Sequence, residues 1–136
     1  MNRHAVTCLL GLISIILPLA SQALGLGRVE QISGLNEPLL ARIPVRANAA
    51  EWQSLKARLA DAPAFRQAGV NRPHALERLR FKTVAKDGNR YLQVSTTDPV
   101  IEPVLDFLIR YEWKGGRLSK RYTLLFSPPL PARNPR

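Results

Sequence analysis

The sequence predicts a mainly β (α+β) domain: an antiparallel β-sandwich-like arrangement of about six strands, with two or three short helices inserted after the second strand. Three observations carry this expectation. Apolar residues recur with period two in several separate segments, as they must where successive side chains point to opposite faces of a sheet. Turn dipeptides, Asp87-Gly88 and Gly115-Gly116, stand between alternating segments. The helical signals are confined to one stretch that opens at Asn48, between two strand-like regions.

Residues 1–23 read as a cleaved signal peptide. Arg3 supplies a positive start, Ala5 to Leu19 is an uncharged apolar run, and Ser21-Gln22-Ala23 offers small residues for cleavage. That run is short for a membrane span of about 20 residues, and Pro18 interrupts it. The mature chain then starts at Leu24 and loses Cys8, the only cysteine, so its stability must come from packing. Without Arg3, 19 Lys and Arg face 10 Asp and Glu, a net charge of +9. Charge of this sign attracts anionic partners. The basic residues form no run longer than two, however, which favours a solvated surface over a dedicated polyanion site.

The elements follow in order. Leu24 to Gly27 is a flexible lead-in. Arg28 to Ser33 is a first strand, with Val29 and Gln31 opposed to Glu30 and Ile32. Leu39 to Val45 is a second, its apolar face Leu39, Ala41, Ile43 and Val45; Pro38 and Pro44 mark it as an edge strand or one only partly paired. Asn48 and Glu51 have capping-box spacing, and Trp52, Leu55 and Leu59 form one helical stripe, with Lys56 and Arg58 facing water. Asp61 and Pro63 start a shorter helix, Ala64 to Ala68, closed by Gly69. Pro73 to Leu79 is one more helical turn, carrying His74. Arg80 to Ala85 and Tyr91 to Ser95 form a hairpin, and Thr96 to Pro103 a loop.

The last hairpin is the longest. On the strand Val104 to Trp113, Leu105, Phe107, Ile109, Tyr111 and Trp113 share one face, and Asp106, Arg110 and Glu112 share the other. Gly115-Gly116 is expected to supply positive φ for the turn. On the return strand, Leu118, Tyr122, Leu124 and Phe126 oppose Arg117, Ser119, Arg121 and Thr123. The Pro-rich tail, 128–136, lacks the apolar surface to order itself.

Chemistry-bearing motifs are sparse. The mature chain offers one histidine, no cysteine, no GxGxxG and no phosphate loop. A hydrolase would need a pocket uniting His74 with a carboxylate and a hydroxyl. Asp106 and Glu112 are expected to pair with Arg110, Arg117 or Arg121 across the hairpin rather than to act as an acid–base pair. Glu102, in a turn before Pro103, is expected to bind backbone N–H groups. No enzymatic activity, cofactor or metal is expected. The candidate interaction residues are Glu102, Arg110, Arg117, Lys120 and Arg121, with Arg117 and Arg121 projecting together from the face opposite Tyr122.

Several stretches resemble the N-terminal periplasmic domain of the FimV/HubP family. They are Ala23-Leu24-Gly25-Leu26-Gly27, Leu35-Asn36-Glu37-Pro38-Leu39, Ala41 and Ile43, Phe65 with Ala68-Gly69, and Leu79-Arg80-Phe81. The densest part is Glu102-Pro103, Asp106-Phe107-Leu108, Trp113, Gly116-Arg117, Tyr122-Thr123-Leu124-Leu125 and Pro128-Pro129. Arg121 stands where the family carries Glu, and Phe126-Ser127 where it carries Leu-Asp, so an acidic contact there does not transfer. The resemblance implies a periplasmic interaction module supporting type IV pilus or secretion-complex assembly and motility, with an envelope protein as partner. It also implies a stand-alone form, without the family's LysM module, membrane span and cytoplasmic part. The alternative is a basic binder of envelope polyanions: peptidoglycan, lipopolysaccharide, an anionic lipid surface or DNA. No small-molecule substrate is expected, and the oligomeric state is left open.

Overall fold

The computed structural model describes residues 24–127; the expected signal peptide and Pro-rich tail lie outside them. In chain order the elements are β1 (Gly25–Leu26), β2 (Glu30–Gln31), β3 (Pro38–Arg46), α1 (Ala49–Ser54), β4 (Lys56–Leu59), α2 (Ala62–Ala68), a 3-10 turn (His74–Arg78), β5 (Arg80–Lys86), β6 (Asn89–Pro99), β7 (Val104–Trp113) and β8 (Gly116–Leu125). They build two antiparallel sheets. One has five strands, in the order β1–β3–β6–β5 with β2 also on β3; the other has three, in the order β4–β7–β8. The mainly β, sandwich-like expectation holds, and the short helices lie after the second long segment as read from the sequence.

The core is the sum of the alternating inner faces. Leu39, Ala41, Ile43 and Val45 on β3 meet Leu92 and Val94 on β6, and they face Leu105, Phe107, Ile109 and Tyr111 of β7 and Tyr122 and Leu124 of β8. Burying each large side chain contributes about 1.5–3 kcal/mol, so these strands are held by packing more than by propensity. Phe126, the family departure at the end of β8, is buried and fills this core.

Several expectations change. The Arg28–Ser33 strand reduces to Glu30–Gln31, and part of the supposed lead-in, Gly25–Leu26, becomes β1, pairing with Val45 and Arg46. Of the two alternatives for β3, the partly paired strand holds and the edge does not: β6 lines one side, while β1 and β2 cover the other in two short pieces. Pro44 is tolerated because its carbonyl points to that interrupted side, where it accepts from Gly27 N–H at 2.8 Å, so its missing N–H falls in the gap between β1 and β2. Gly27 packs closely there: a Cβ would stand 3.0 Å from the Pro44 ring.

α1 has the expected capping box, with Glu51 N–H donating to Asn48 Oδ1 and Asn48 N–H to Glu51 Oε2. It stops at Ser54 rather than reaching Leu59, because Leu55 turns extended and Lys56–Leu59 becomes β4 against β7. Lys-Ala-Arg-Leu carries a period-two pattern as well as a helical one. Half-burying Ala57 and Leu59 beside Tyr111 and Ile109 decides between them. α2 begins at the Asp61 cap and ends at Gly69, whose φ of 68° needs glycine.

The β5–β6 turn uses Asp87 and Gly88 at positive φ, as its sequence requires. β6 runs on to Pro99, so the expected loop shrinks to 100–103. An irregularity in the β3–β6 pairing lets Thr96 Oγ1 accept the Leu39 N–H. In the last hairpin, by contrast, neither Gly115 nor Gly116 adopts positive φ. Their role is space: a Cβ on either would come within 3.2 Å of the Trp113 ring folded over the turn.

Candidate functional site

β7 and β8 run in register from Val104–Leu125 to Trp113–Gly116 without a bulge. Their inner face buries a pair of polar groups. The hydroxyls of Tyr111 and Tyr122 meet at 2.7 Å, both buried. Burial pushes both phenols up, Tyr111 furthest, so the pair stays neutral and each hydroxyl is the other's partner.

The outer face of the three-stranded sheet carries charge. Lys56 and Arg58 on β4, Arg110 on β7, and Arg117 and Arg121 on β8 all point to it, with Asp106 and Glu112 between them. The two carboxylates are placed to neutralise. Arg121 forks onto both oxygens of Asp106, with Nε–Oδ1 at 2.9 Å, and Thr123 Oγ1 donates to the same carboxylate at 3.2 Å. The hydrogen bond from Arg121 holds the Asp106 carboxyl below its usual range and raises the guanidinium in turn. Glu112 accepts from Arg110 Nε at 2.8 Å and from Arg58 at 3.5 Å, and the Arg110 hydrogen bond lowers its pKa most. Leu108, on the same face, is buried, and its carbonyl accepts from Ala60 N–H.

The predicted interaction residues therefore separate. Arg110, Arg117 and Arg121 share this face. Arg117, opposite Glu112 in register, makes no ion pair among the described residues. Lys120 projects to the other side, its ammonium 5.4 Å from the Tyr122 ring centroid. Glu102 sits in the 100–103 loop, bordering two shallow clefts of about 100 and 330 Å³. Among the described residues it binds no backbone N–H group: Val100 N–H donates to Glu37 O and Asn36 N–H to Val100 O, so the loop is pinned from the β2–β3 connection instead. Lys56 and Arg58 were missed, because the helical stripe through Leu59 placed them on a helix. The period-two pattern of Lys-Ala-Arg-Leu is the signal that would have found them.

β8 is also an edge. Among the described residues it pairs with β7 alone, over ten residues with no proline and no register shift. A two-residue turn makes Trp113 and Gly116 a mutually bonded pair, so the even residues of β8 spend their backbone groups on β7. The Phe126 N–H to Pro103 O bond at 2.8 Å keeps that parity. The N–H and C=O groups of Arg117, Ser119, Arg121, Thr123 and Leu125 consequently face outward. At the far end Leu125 and its partner Val104 are exposed. The other edges are shorter: β5 has seven residues, β4 four, and β1 and β2 two each.

His74 stands apart, its side chain almost wholly exposed, with Glu77 as neighbour at 3.8 Å. Among the described residues no three His, Cys, Asp or Glu side chains are grouped to hold a metal ion.

A small antiparallel sandwich of two sheets, with its charge on the sheet faces, is a domain of the Ig-like kind. The chain belongs to the FimV family: residues 24–129 match the family described as FimV N-terminal domain Ig-like domain. It is 38% identical over 116 residues to the motility hub protein FimV of Pseudomonas aeruginosa, in strain PAO1 and in strain UCBPP-PA14 alike. The match covers 81% of this chain and 12% of each relative. No solved structure matches the chain.

Proposed function

We propose that this chain is an exported, periplasmic, non-enzymatic interaction module that supports motility through type IV pilus or secretion-complex assembly, by holding an envelope protein. The observation that carries this reading is the match of residues 24–129 to the FimV N-terminal domain, together with a relative described as a motility hub. The mode of binding is addition of a strand to β8. An extended partner segment supplies the hydrogen bonds that the outward backbone groups lack. Arg117 and Lys120, neither ion-paired among the described residues, make an acidic segment the complementary one, and a second copy of β8 would bring like charges together.

The test is complementation. Deleting the gene should reduce twitching and surface pili, and the wild-type chain should restore both. Ser119→Pro and Thr123→Pro remove outward N–H groups without touching the β7 ladder, so each should fold yet fail to restore. Unchanged motility and piliation on deletion would count against the pilus role, and full rescue by both proline variants against the edge.

A further inference from the structure

We infer that the outer face of the five-stranded sheet is a binding site for a linear anionic polysaccharide. This goes beyond the edge-strand reading, because it concerns the opposite sheet and a ligand of a different kind. It rests on charge that is scattered in sequence and gathered by register. Arg42 and Arg46 on β3, and Arg80, Lys82 and Lys86 on β5, all point to this face and are exposed. None of the five has a carboxylate within ion-pair distance among the described residues. Among the described residues the one acidic side chain of these strands on the same face is Glu30 of β2, opposite Arg42.

The arrangement is two basic rails on either side of a neutral strand. Between them β6 presents Tyr91, Gln93 and Ser95, half-buried and able to hydrogen-bond. Register puts Gln93 between Arg42 and Lys82, Ser95 between Leu40 and Arg80, and Tyr91 between Pro44 and Val84. With strands about 4.8 Å apart, the rails are separated by roughly 10 Å, and cations two residues apart along β5 by about 7 Å. A chain lying along β6 can meet both rails while its hydroxyls reach the side chains between them. The trough opens at one end into a depression of about 730 Å³ bordered by Pro44, Arg46, Lys86 and Asn89.

The central residues favour a sugar polymer over a nucleic acid. Binding single strands without sequence preference relies on open aromatic faces for base stacking. The aromatic ring on this face, Tyr91, is already covered by the Arg42 guanidinium at 4.9 Å. Unneutralised cations flanking hydroxyl and amide groups instead suit carboxylates or phosphates spaced along a hydroxyl-rich chain.

Titrating the purified protein with polygalacturonate, neutral dextran and oligothymidylate tests this. Polygalacturonate should bind and dextran should not, with affinity falling roughly ten-fold or more from about 50 to about 200 mM salt. Neutralising both rails at once, Arg42→Gln, Arg80→Gln and Lys82→Gln, should weaken binding at least about ten-fold with an unchanged melting curve. Neutralising Lys56, Arg58 and Arg117 on the other sheet should leave it intact. Arg46→Gln with Lys86→Gln gives a second, independent reading should the triple variant melt early. Salt-insensitive binding, equal loss from either face, absence of polygalacturonate binding or preference for oligothymidylate would each overturn the proposal.

Discussion

The two sheets carry five cations each on their outer faces and treat them in opposite ways. On the three-stranded sheet, Asp106 and Glu112 ion-pair with three of the five, Arg58, Arg110 and Arg121. On the five-stranded sheet none of the five is paired among the described residues. The inner faces differ too. The three-stranded sheet buries a hydroxyl pair, Tyr111 and Tyr122, whereas β3 and β6 bury aliphatic side chains such as Ile43 and Leu92. Equal numbers of basic residues thus give unequal surfaces, and the difference lies in where two carboxylates fall in the strand register.

Three substitutions measure that contrast, taken from the largest effect downward. Ile43→Ala opens a cavity in a fully buried aliphatic position and should cost about 2–5 kcal/mol in denaturant unfolding. A loss well below this would mean the five-stranded sheet collapses around the gap, and that its inner face is less tightly packed than its burial implies.

Tyr111→Phe leaves the buried Tyr122 hydroxyl without its partner and should cost about 1–3 kcal/mol. The double change with Tyr122→Phe should recover part of that loss, and strict additivity of the two would deny the pair any coupling. Both phenols are raised, so the stability they supply is present below the ordinary tyrosine value of about 10 and is lost as pH rises toward the raised folded values. Neither should ionise before the domain unfolds, as tyrosinate absorbance would report.

Asp106→Asn should matter least at neutral pH, because the ion pair it breaks is solvent-screened. Its signature is in acid. A carboxyl depressed in the folded state stabilises above the unfolded carboxylate range, and that contribution fades as pH falls through the folded value, below about pH 4. The wild type should therefore lose more stability than Asp106→Asn on acidification. Parallel acid curves would show that Asp106 orders Arg121 without stabilising the fold.

Much of this molecule is legible in its residues. The alternation on β7 and β8, the capping box at Asn48 and the Asp87-Gly88 turn each state their structure locally, because the groups that satisfy the backbone lie within a few residues. The same locality explains the errors. Lys56–Leu59 fits helix and strand alike, and only β7 beside it chooses. Gly115 and Gly116 read as a conformational requirement, but they answer to the volume of Trp113. Of the candidate residues, Arg110, Arg117 and Arg121 converge as alternation foretold, while Lys120 and Glu102 do not join them. The cations of β3 and β5 show no clustering in sequence because they lie some forty residues apart and meet only across β6.

The sequence by itself determined the fold class, the family and the inner faces of β3, β7 and β8. Period-two burial is a local pattern, and its reward is the same whichever strand lies alongside. Tertiary structure alone decided which strands are neighbours, and with that which charges are neutralised, which stand open and which edge is left unpaired. Those are pairwise properties of residues distant in the chain, and they exist only once the sheets have formed.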